Sequence, residues 1–242
     1  MARKKIIFVI VEGPSDEAAL GVLLSKIFDP TKIYIHIMHY DITSDFNIRN
    51  DNILSHLGNE IKHYASSNHF TNNDFQQIIH IIDTDGAYIP DDLIIEDKTY
   101  IKPFYSTSNI KTNSFINLSR RTGRKRKNLD KLINTSTLWN IPYQVYYMSI
   151  NLDHVLYNKL NSNDQDKEDD AYKFAIKYRN DIAGFIDYIC HSDFSVYSSY
   201  QESWKFIKTA NESLHRHTNL GLCLPTLKCK VKFQFNIGAT RS

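Results

Sequence analysis

The sequence predicts an α/β fold, in which a mostly parallel sheet is flanked by helices, with a helical C-terminal elaboration. Apolar runs typical of buried strands lie at Ile6 to Val11 and at Phe75 to Ile82, and a segment with helical apolar spacing lies between them. The third observation is the order strand, helix, strand, helix, strand along the first part of the chain. That order is typical of a parallel sheet whose faces are covered by helices.

The first strand leads into the first helix through a short turn. A Gly-Pro pair follows the apolar run, Ser15 is a suitable N-cap, and Asp16 to Ile27 has helical spacing. We expect the next strand over Ile33 to Met38 and the next helix over Asn52 to Tyr64. The strand over Phe75 to Ile82 then ends in D-T-D-G.

The remainder of the chain is less regular. Residues 109–128 are polar and basic, Ile141 to Ile150 is strand-like, and residues 161–170 read as an acidic, Asn-rich loop. Ala171 to Leu222 is helical with breaks near Ser192 and Ser199, and Lys228 to Phe235 is either an edge strand or a tail. We divide the chain into an α/β catalytic core (1–108), a basic insertion with a returning strand that completes the core (109–160), and a mainly helical region (161–242).

Composition excludes several classes of protein. With 29 basic and 27 acidic residues, net charge alone implies no partner. The three cysteines form no C-x-x-C pair, so we expect free thiols rather than a disulfide scaffold or a zinc site. The N-terminal apolar run ends at Glu12, which is too soon for a signal peptide or a membrane span. We expect a cytoplasmic protein without membrane contact.

Four carboxylates follow the ends of the first and third strands. Glu12 ends the first strand, Asp16 lies in the first turn of the next helix, and Asp83 and Asp85 follow the third strand. Sites in open parallel sheets form outside the carboxyl ends of the strands. If the two strands are neighbours, the four carboxylates converge.

Such a group of like charges needs either protonation or a cation. Oxygen ligands select hard ions, so we expect Mg²⁺ or Mn²⁺, with two ions suited to phosphodiester cleavage. Each half of the pattern also has an ordinary interpretation. Asp16 could simply favour the helix N-terminus, and D-x-D before Gly occurs in plain turns.

The segments V-E-G-P-S-D-E-A-A-L and I-I-D-T-D-G resemble the Toprim domain over about residues 5 to 90. With its extra acid at Asp16, the first motif is similar to the overcoming-lysogenization-defect (OLD) nucleases. The stretch that leads to Asp153 is similar to the distal part of RloB-like Toprim proteins. Many Toprim proteins carry a third acid in the second motif, and Ala87 takes that place here, which disfavours a primase or topoisomerase.

This resemblance implies a Toprim-like, Rossmann-like fold and a metal-dependent endonuclease that cleaves phosphodiester bonds. Glu12, Asp83 and Asp85 would be catalytic and hold metal, and Asp16 would complete a second metal site. The resemblance further implies an antiviral, abortive-infection effector that works with a separate ATPase subunit. The substrate, DNA or RNA including tRNA, and a homodimeric state stay open.

Two alternatives remain. One is a Toprim ribonuclease of RNA processing, which would cut one structured precursor. The other is a non-catalytic, metal-binding subunit of a larger complex, in which the carboxylates hold a structural ion.

Further candidate residues lie beyond the two motifs. Asp153 is a candidate catalytic residue and His154 a candidate acid or base, although Asn151 and Asp153 could instead cap a helix. Lys102 and Lys111 are candidates for the cation that stabilises the phosphate in the transition state. A basic run is the candidate nucleic-acid-binding surface, with a solvated loop or a protein-binding surface as the alternative. It consists of Arg120, Arg121, Arg124, Lys125, Arg126 and Lys127.

Overall fold

The computed structural model describes residues 5–28, 33–39, 42–43, 52–196 and 198–224. Its main sheet has the order β2-β1-β3-β8-β7. The strands are β1 (Lys5–Val11), β2 (Ile33–His39), β3 (Phe75–Asp83), β7 (Thr137–Leu138) and β8 (Ile141–Met148). Strands β2, β1, β3 and β8 are parallel, and the short β7 pairs antiparallel with β8. The predicted α/β fold with a mostly parallel sheet is confirmed, and β1 and β3 are neighbours.

Helices cover both faces of this sheet. They are α1 (Pro14–Ile27), α2 (Ile53–Ser67), α3 (Phe115–Ile133), α4 (Leu152–Tyr157), α5 (Asp164–Tyr178), α6 (Ile182–His191) and α7 (Tyr200–Ile207). Alternate residues of β1 enter two separate cores, because successive side chains of a strand point to opposite faces. Ile7 and Val9 pack with α1, α5 and α6, whereas Phe8 and Ile10 pack with α2, α3 and α7. This double burial explains the unbroken apolar run in the sequence.

A second, three-stranded sheet was not predicted. It has the order β4-β6-β5 and consists of β4 (Ile94–Glu96), β5 (Phe104–Tyr105) and β6 (Ile110–Thr112). Its inner residues Ile94, Tyr105 and Ile110 are buried with Leu118 of α3 and Ile150 after β8. The small sheet is therefore attached beside the carboxyl ends of β3 and β8.

Gly86 allows this attachment. Its φ is +72°, and a Cβ there would lie 2.4 Å from Cδ1 of Ile110.

We expect Gly86→Ala to lower the free energy of unfolding by about 1–3 kcal/mol, because it adds both backbone strain and a clash. Urea denaturation measures this change. Gly123→Ala is the matched control, since a Cβ at Gly123 in α3 meets nothing within 4 Å. It should stabilise the protein by about 0.5–1 kcal/mol, and an unchanged midpoint for Gly86→Ala would contradict the first expectation.

The outer edge of β8 beyond β7 is covered by the C-terminal region. Tyr200 Oη accepts a hydrogen bond from Val145 N at 3.2 Å, and Trp204 Nε1 donates to Val145 O at 3.3 Å. Asn219 Oδ1 accepts from Tyr147 N at 2.8 Å. Val145 and Tyr147 are thus paired with side chains, whereas the end of this edge pairs with backbone: Met148 forms an isolated bridge with Thr218, and Ser149 N donates to His217 O at 2.9 Å.

Several expected boundaries were wrong. Helix α1 begins at Pro14 with Gly13 as its N-cap, not at Asp16 after Ser15, because the Asp16 carboxylate accepts a hydrogen bond from Gly13 N at 3.0 Å. The expected acidic loop over residues 161–170 is mostly helix α5, which begins after Asn163; the side chain of Asn163 caps it through Asp166 N.

The basic segment is the larger difference. Most of it lies in the 19-residue helix α3, capped by Ser114, and no helix was predicted for this polar, basic segment. The proposed edge strand or tail over Lys228 to Phe235 lies outside the described residues.

The expectation of free thiols was wrong for Cys190, which is disulfide-bonded, whereas Cys223 is a free, buried thiol.

Among the described residues, no helix is both long enough and apolar enough to cross a membrane.

Candidate active site

Glu12 and Asp83 lie at the carboxyl ends of adjacent parallel strands. Glu12 directly follows β1, and Asp83 is the last residue of β3. The pairing of β1 with β3 brings their ends to the same edge of the sheet. Glu12 Oε1 also accepts a hydrogen bond from Oγ1 of the buried Thr43 at 3.2 Å. Strand pairing thus brings two of the four carboxylates that were expected to converge to the same edge of the sheet.

Asp85 is held by a tight turn after β3. Its φ is +47°, in the left-handed region that Asp tolerates better than most residues. Asp85 N donates to Ile150 O at 2.9 Å, and the Thr84 hydroxyl accepts from Ile150 N at 2.8 Å. These bonds attach the turn to the chain that follows β8. The orientation of Asp85 therefore depends on tertiary contacts as well as on the D-x-D spacing.

Lys125 joins two of the carboxylates. Its side chain is 1% exposed, and its Nζ lies 2.7 Å from Asp85 Oδ2 and 3.2 Å from Glu12 Oε1. One turn earlier on α3, Arg121 Nη2 donates to Asp85 Oδ2 at 3.0 Å. Residues four apart lie on the same face of a helix, so α3 directs both cations toward the strand ends.

The surroundings shift the pKa values of Asp83 and Asp85 in opposite directions. Burial, together with repulsion from Glu12, Asp16 and Asp85, raises the pKa of Asp83 well above its ordinary value. Burial also acts to raise the pKa of Asp85, but the adjacent Lys125 and Arg121 outweigh it, so that pKa is lowered. Asp85 is therefore stabilised as a carboxylate, whereas Asp83 favours a proton unless further positive charge is present.

Asp16 and Asp153 are two further buried acids, each in the first turn of a helix. Asp16 is 9% exposed, and burial raises its pKa despite its hydrogen bond from Gly13 N. Asp153, in the first turn of α4, is 4% exposed and lies 3.9 Å from Lys167 Nζ. The charges of Asp16 and Asp153 interact, because Asp16 contributes to the raised pKa of Asp153. Asp153 is therefore within electrostatic range of Asp16, and its role as a catalytic residue or further metal ligand stays a prediction.

The side chain of His154 contacts a backbone carbonyl near the end of β8. It is buried, and its Nδ1 lies 3.3 Å from Ser149 O. Burial lowers its pKa to about 4. The Asn151 side chain accepts a hydrogen bond from His154 N and caps α4, as the ordinary interpretation of this segment held. His154 is therefore neutral at neutral pH.

The stability of the folded chain should depend on the proton that Asp153 carries. Burial raises the pKa of Asp153 to about 6, above its unfolded value. The stability that this proton contributes is fully present below about pH 4 and is lost as the pH rises through about 6. We therefore expect Asp153→Asn to gain stability relative to wild type across this window, as measured by urea unfolding at several pH values. The exposed Asp169→Asn is the control, and parallel curves for Asp153→Asn and wild type would contradict the expectation.

The basic run has two faces because it is helical. Lys125 and Arg121 point toward the carboxylates, and Arg126 donates to Ala87 O and Ile89 O at 2.6 and 3.1 Å. Arg120 and Lys127 are exposed, and Arg124 is half-buried. The buried role of Lys125 was missed, although its four-residue spacing from Arg121 was a signal that could have revealed it.

The two lysines suggested as the active-site cation lie elsewhere. Lys102 is exposed in the segment between β4 and β5. Lys111 lies on β6, with its Nζ 5.5 Å from the centre of the Tyr100 ring. Lys125, by contrast, contacts two of the motif carboxylates, Glu12 and Asp85.

The donor set fits a hard cation by its chemistry, although its side chains are not arranged as a finished metal site. In the part of the chain that the structure describes, no three His, Cys, Asp or Glu side chains are grouped to hold a metal ion. The available donors are nonetheless carboxylate oxygens, which Mg²⁺ and Mn²⁺ prefer. The pKa of Asp83 is raised first by burial and then by the charges of the neighbouring carboxylates, which a bound cation would offset. An ion bound by Glu12 and Asp85 would compete with the Lys125 ammonium for the same oxygens.

Comparison of the chain with protein-family models, with curated proteins and with solved structures finds no match.

Proposed function

We propose that this protein is a nuclease of the Toprim type that depends on Mg²⁺ or Mn²⁺. One observation carries the proposal: Glu12 and Asp83 end adjacent parallel strands, and Asp85 and the buried Lys125 adjoin them. Clustered carboxylates at the carboxyl edge of such a sheet are suited to metal-assisted phosphodiester cleavage. The resemblance of the two acidic motifs to Toprim sequences supports the same assignment.

Glu12, Asp83 and Asp85 would hold the first ion, and Asp16 would hold a second, with Asp153 beside it. When bound, the ions supply Lewis-acid activation of water and neutralise charge on the scissile phosphate. The carboxylates of this chain orient the ions by their placement on strand ends and helix starts.

Lys125 and Arg121 contribute positive charge of their own. The ammonium of Lys125 is nearly inaccessible to solvent, so its attraction for an anion is screened less than that of a surface lysine. Together the two residues hold Asp85 as a carboxylate. They would also reduce the repulsion that a phosphate meets when it approaches four acidic side chains.

The exposed face of α3 is a candidate surface for the backbone of the substrate. Arg120 and Lys127 lie on this face, about one and about three turns from the helix start. Such cations would attract phosphates independently of sequence, and binding would weaken as salt increases. We further propose, from the family resemblance alone, an antiviral effector that works with a separate ATPase.

One observation favours a second candidate, a non-catalytic subunit. Lys125 and Arg121 pair directly with Glu12 and Asp85, as in a buried structural ion pair. In that case Mg²⁺ would at most raise the melting temperature and would support no turnover.

The decisive experiment is a cleavage assay with purified protein. Plasmid, single-stranded DNA, tRNA and total RNA are incubated with Mg²⁺, Mn²⁺ or EDTA, alone and with candidate ATPase partners. Cleavage that requires the metal and is lost in Glu12→Gln supports the nuclease. Metal-dependent stabilisation without cleavage of any substrate, with or without partners, supports the non-catalytic subunit.

A further inference from the structure

The outer face of the small sheet presents a row of side chains to solvent. Ile95 on β4 and Phe104 on β5 both pair in register with Lys111 on β6, so the three residues share one face. Ile95 is 42% and Phe104 41% exposed, whereas Ile94, Tyr105 and Ile110 on the opposite face are buried. The row thus places a lysine between two apolar side chains.

Tyr100 extends this row. Its ring centre lies 5.1 Å from that of Phe104, and Lys111 Nζ lies 5.5 Å from the centre of the same Tyr100 ring. Ile101, which is 91% exposed, and the exposed Lys102 follow in the same segment. We call Tyr100, Phe104 and Lys111 the aromatic platform.

Two acidic side chains near the platform, Glu96 and Asp97, have ion-pair or hydrogen-bond partners close by. Glu96 pairs with Lys98 at 2.5 Å and accepts a hydrogen bond from Phe115 N at 2.9 Å. Asp97 accepts hydrogen bonds from the backbone and hydroxyl of Thr99 at 3.0 and 2.6 Å. The hydrogen bonds from Thr99 lower the pKa of Asp97, and the charge of Lys111, which lies over the Tyr100 ring, lowers it further. Within the described residues, neither Lys111 nor Lys102 forms an ion pair with Glu96 or Asp97.

The aromatic platform lies on the small sheet, and the opposite face of that sheet contacts the turn that carries Asp85. The other face of the small sheet packs on Gly86, directly after Asp85. Burial raises the pKa of Tyr105 on that face, and the charge of Asp85 raises it further, which indicates their proximity. The platform also adjoins the start of α3, because Asn113 Nδ2 donates to Ile101 O at 3.4 Å. A strand bound along α3 could therefore reach both the rings and the carboxylates.

We propose that the aromatic platform stacks unpaired bases of the nucleic-acid strand that the carboxylate site cleaves. Base stacking on aromatic rings is tolerant of sequence, and lysines beside the rings suit the phosphates. Bases inside a duplex are stacked on one another and do not offer these faces, so the platform selects single-stranded or locally unpaired substrates. This inference rests on the proposed nuclease function and specifies its substrate class.

The test measures binding in EDTA, so that cleavage does not contribute. Fluorescence anisotropy is recorded with labelled DNA and RNA strands of about 12 nucleotides and with the matching duplexes. We expect wild type to prefer the unpaired strands, and the double variant Tyr100→Ala/Phe104→Ala to bind them about tenfold more weakly or worse. The DNA and RNA arms distinguish the two sources of unpaired bases.

Matched variants separate stacking from other effects. Tyr100→Phe/Phe104→Tyr keeps both rings and should bind as wild type does, as should Tyr172→Ala, which removes an exposed ring from α5. Lys127→Ala should weaken binding of strands and duplexes alike. Thermal melting of each variant checks that the small sheet remains folded.

Three results would overturn the inference: no binding of unpaired strands by wild type, no preference over duplex, or full binding by the folded double alanine variant. Loss of self-association in that variant, with strand binding unchanged, would identify the face as a protein contact instead. Binding that follows the expected pattern without cleavage in the separate metal assay would overturn the nuclease proposal and leave the platform as a binding surface.

Discussion

Cleavage of nucleic acid is expected to fall by about a thousandfold or more when Glu12 is replaced by Gln. The substitution keeps the size of the side chain and removes its charge, so the fold should be retained. A neutral amide is a weaker ligand for Mg²⁺ and loses the ion pair with Lys125 Nζ at 3.2 Å. Asp83→Asn should have an effect of similar size, because Asp83 ends the adjacent strand. Initial rates with a strand labelled at one end measure both losses.

Glu168→Gln provides the matched control for these variants. Glu168 is exposed on α5, and its loss should leave the cleavage rate within about twofold of wild type, since surface changes away from a site are usually small. Unfolding midpoints of all three variants exclude a general loss of structure. Retention of cleavage in both Glu12→Gln and Asp83→Asn would show that these carboxylates do not hold the catalytic metal.

Removal of the buried ammonium should have the largest effect on stability. Lys125→Met keeps the apolar stem but leaves Glu12 and Asp85 without their shared counter-charge. Breaking a buried ion pair in this way costs about 3–5 kcal/mol, and we expect a loss of that size near neutral pH in EDTA. Urea unfolding measures the loss.

The same variant also tests competition between lysine and metal. Without the ammonium, no lysine competes with Mg²⁺ or Mn²⁺ for the oxygens of Glu12 and Asp85. The ion should therefore raise the melting temperature more in Lys125→Met than in wild type. Lys127→Met, an exposed change on the same helix, should alter neither quantity. A loss below about 1 kcal/mol, with equal metal responses, would instead indicate that Lys125 is no more than a surface cation.

Part of this site was predictable because it follows from the ladder geometry of a parallel sheet. The apolar runs of β1 and β3 are buried on both faces, and their polar ends therefore lie where the chain leaves the core. Once β1 and β3 pair, Glu12 and Asp83 must lie at the same edge. The shared edge of Glu12 and Asp83 could therefore be predicted from the two strand patterns alone.

The contribution of α3 was not predicted, because a cluster of cations suggests a solvated surface. Helical spacing divides the cluster, so that Lys125 is buried while its neighbour Lys127 is exposed. Burial of a lysine is favourable only when carboxylates compensate its charge, and those carboxylates are 113 and 40 residues away in sequence. Such a pairing cannot be derived from local composition.

The small sheet was missed for a different reason. Strands of two or three residues have no periodicity that distinguishes them from a loop. Their stability comes from packing of Tyr105 and Ile110 against Leu118 and Ile150, which are distant in the chain. The start of α5 was misjudged because its first turns are acidic, whereas its buried residues, Ala171, Phe174 and Tyr178, come later.

The covered edge of β8 has a consequence for the order in which the molecule is built. Val145 N and Tyr147 N find their partners in Tyr200 and Asn219, which follow 55 and 72 residues later. While the ribosome is still adding those residues, the nascent sheet exposes unpaired backbone groups that could join another chain. The final described segment therefore protects the central sheet from intermolecular pairing, and this protection arrives only after residue 219 has been added.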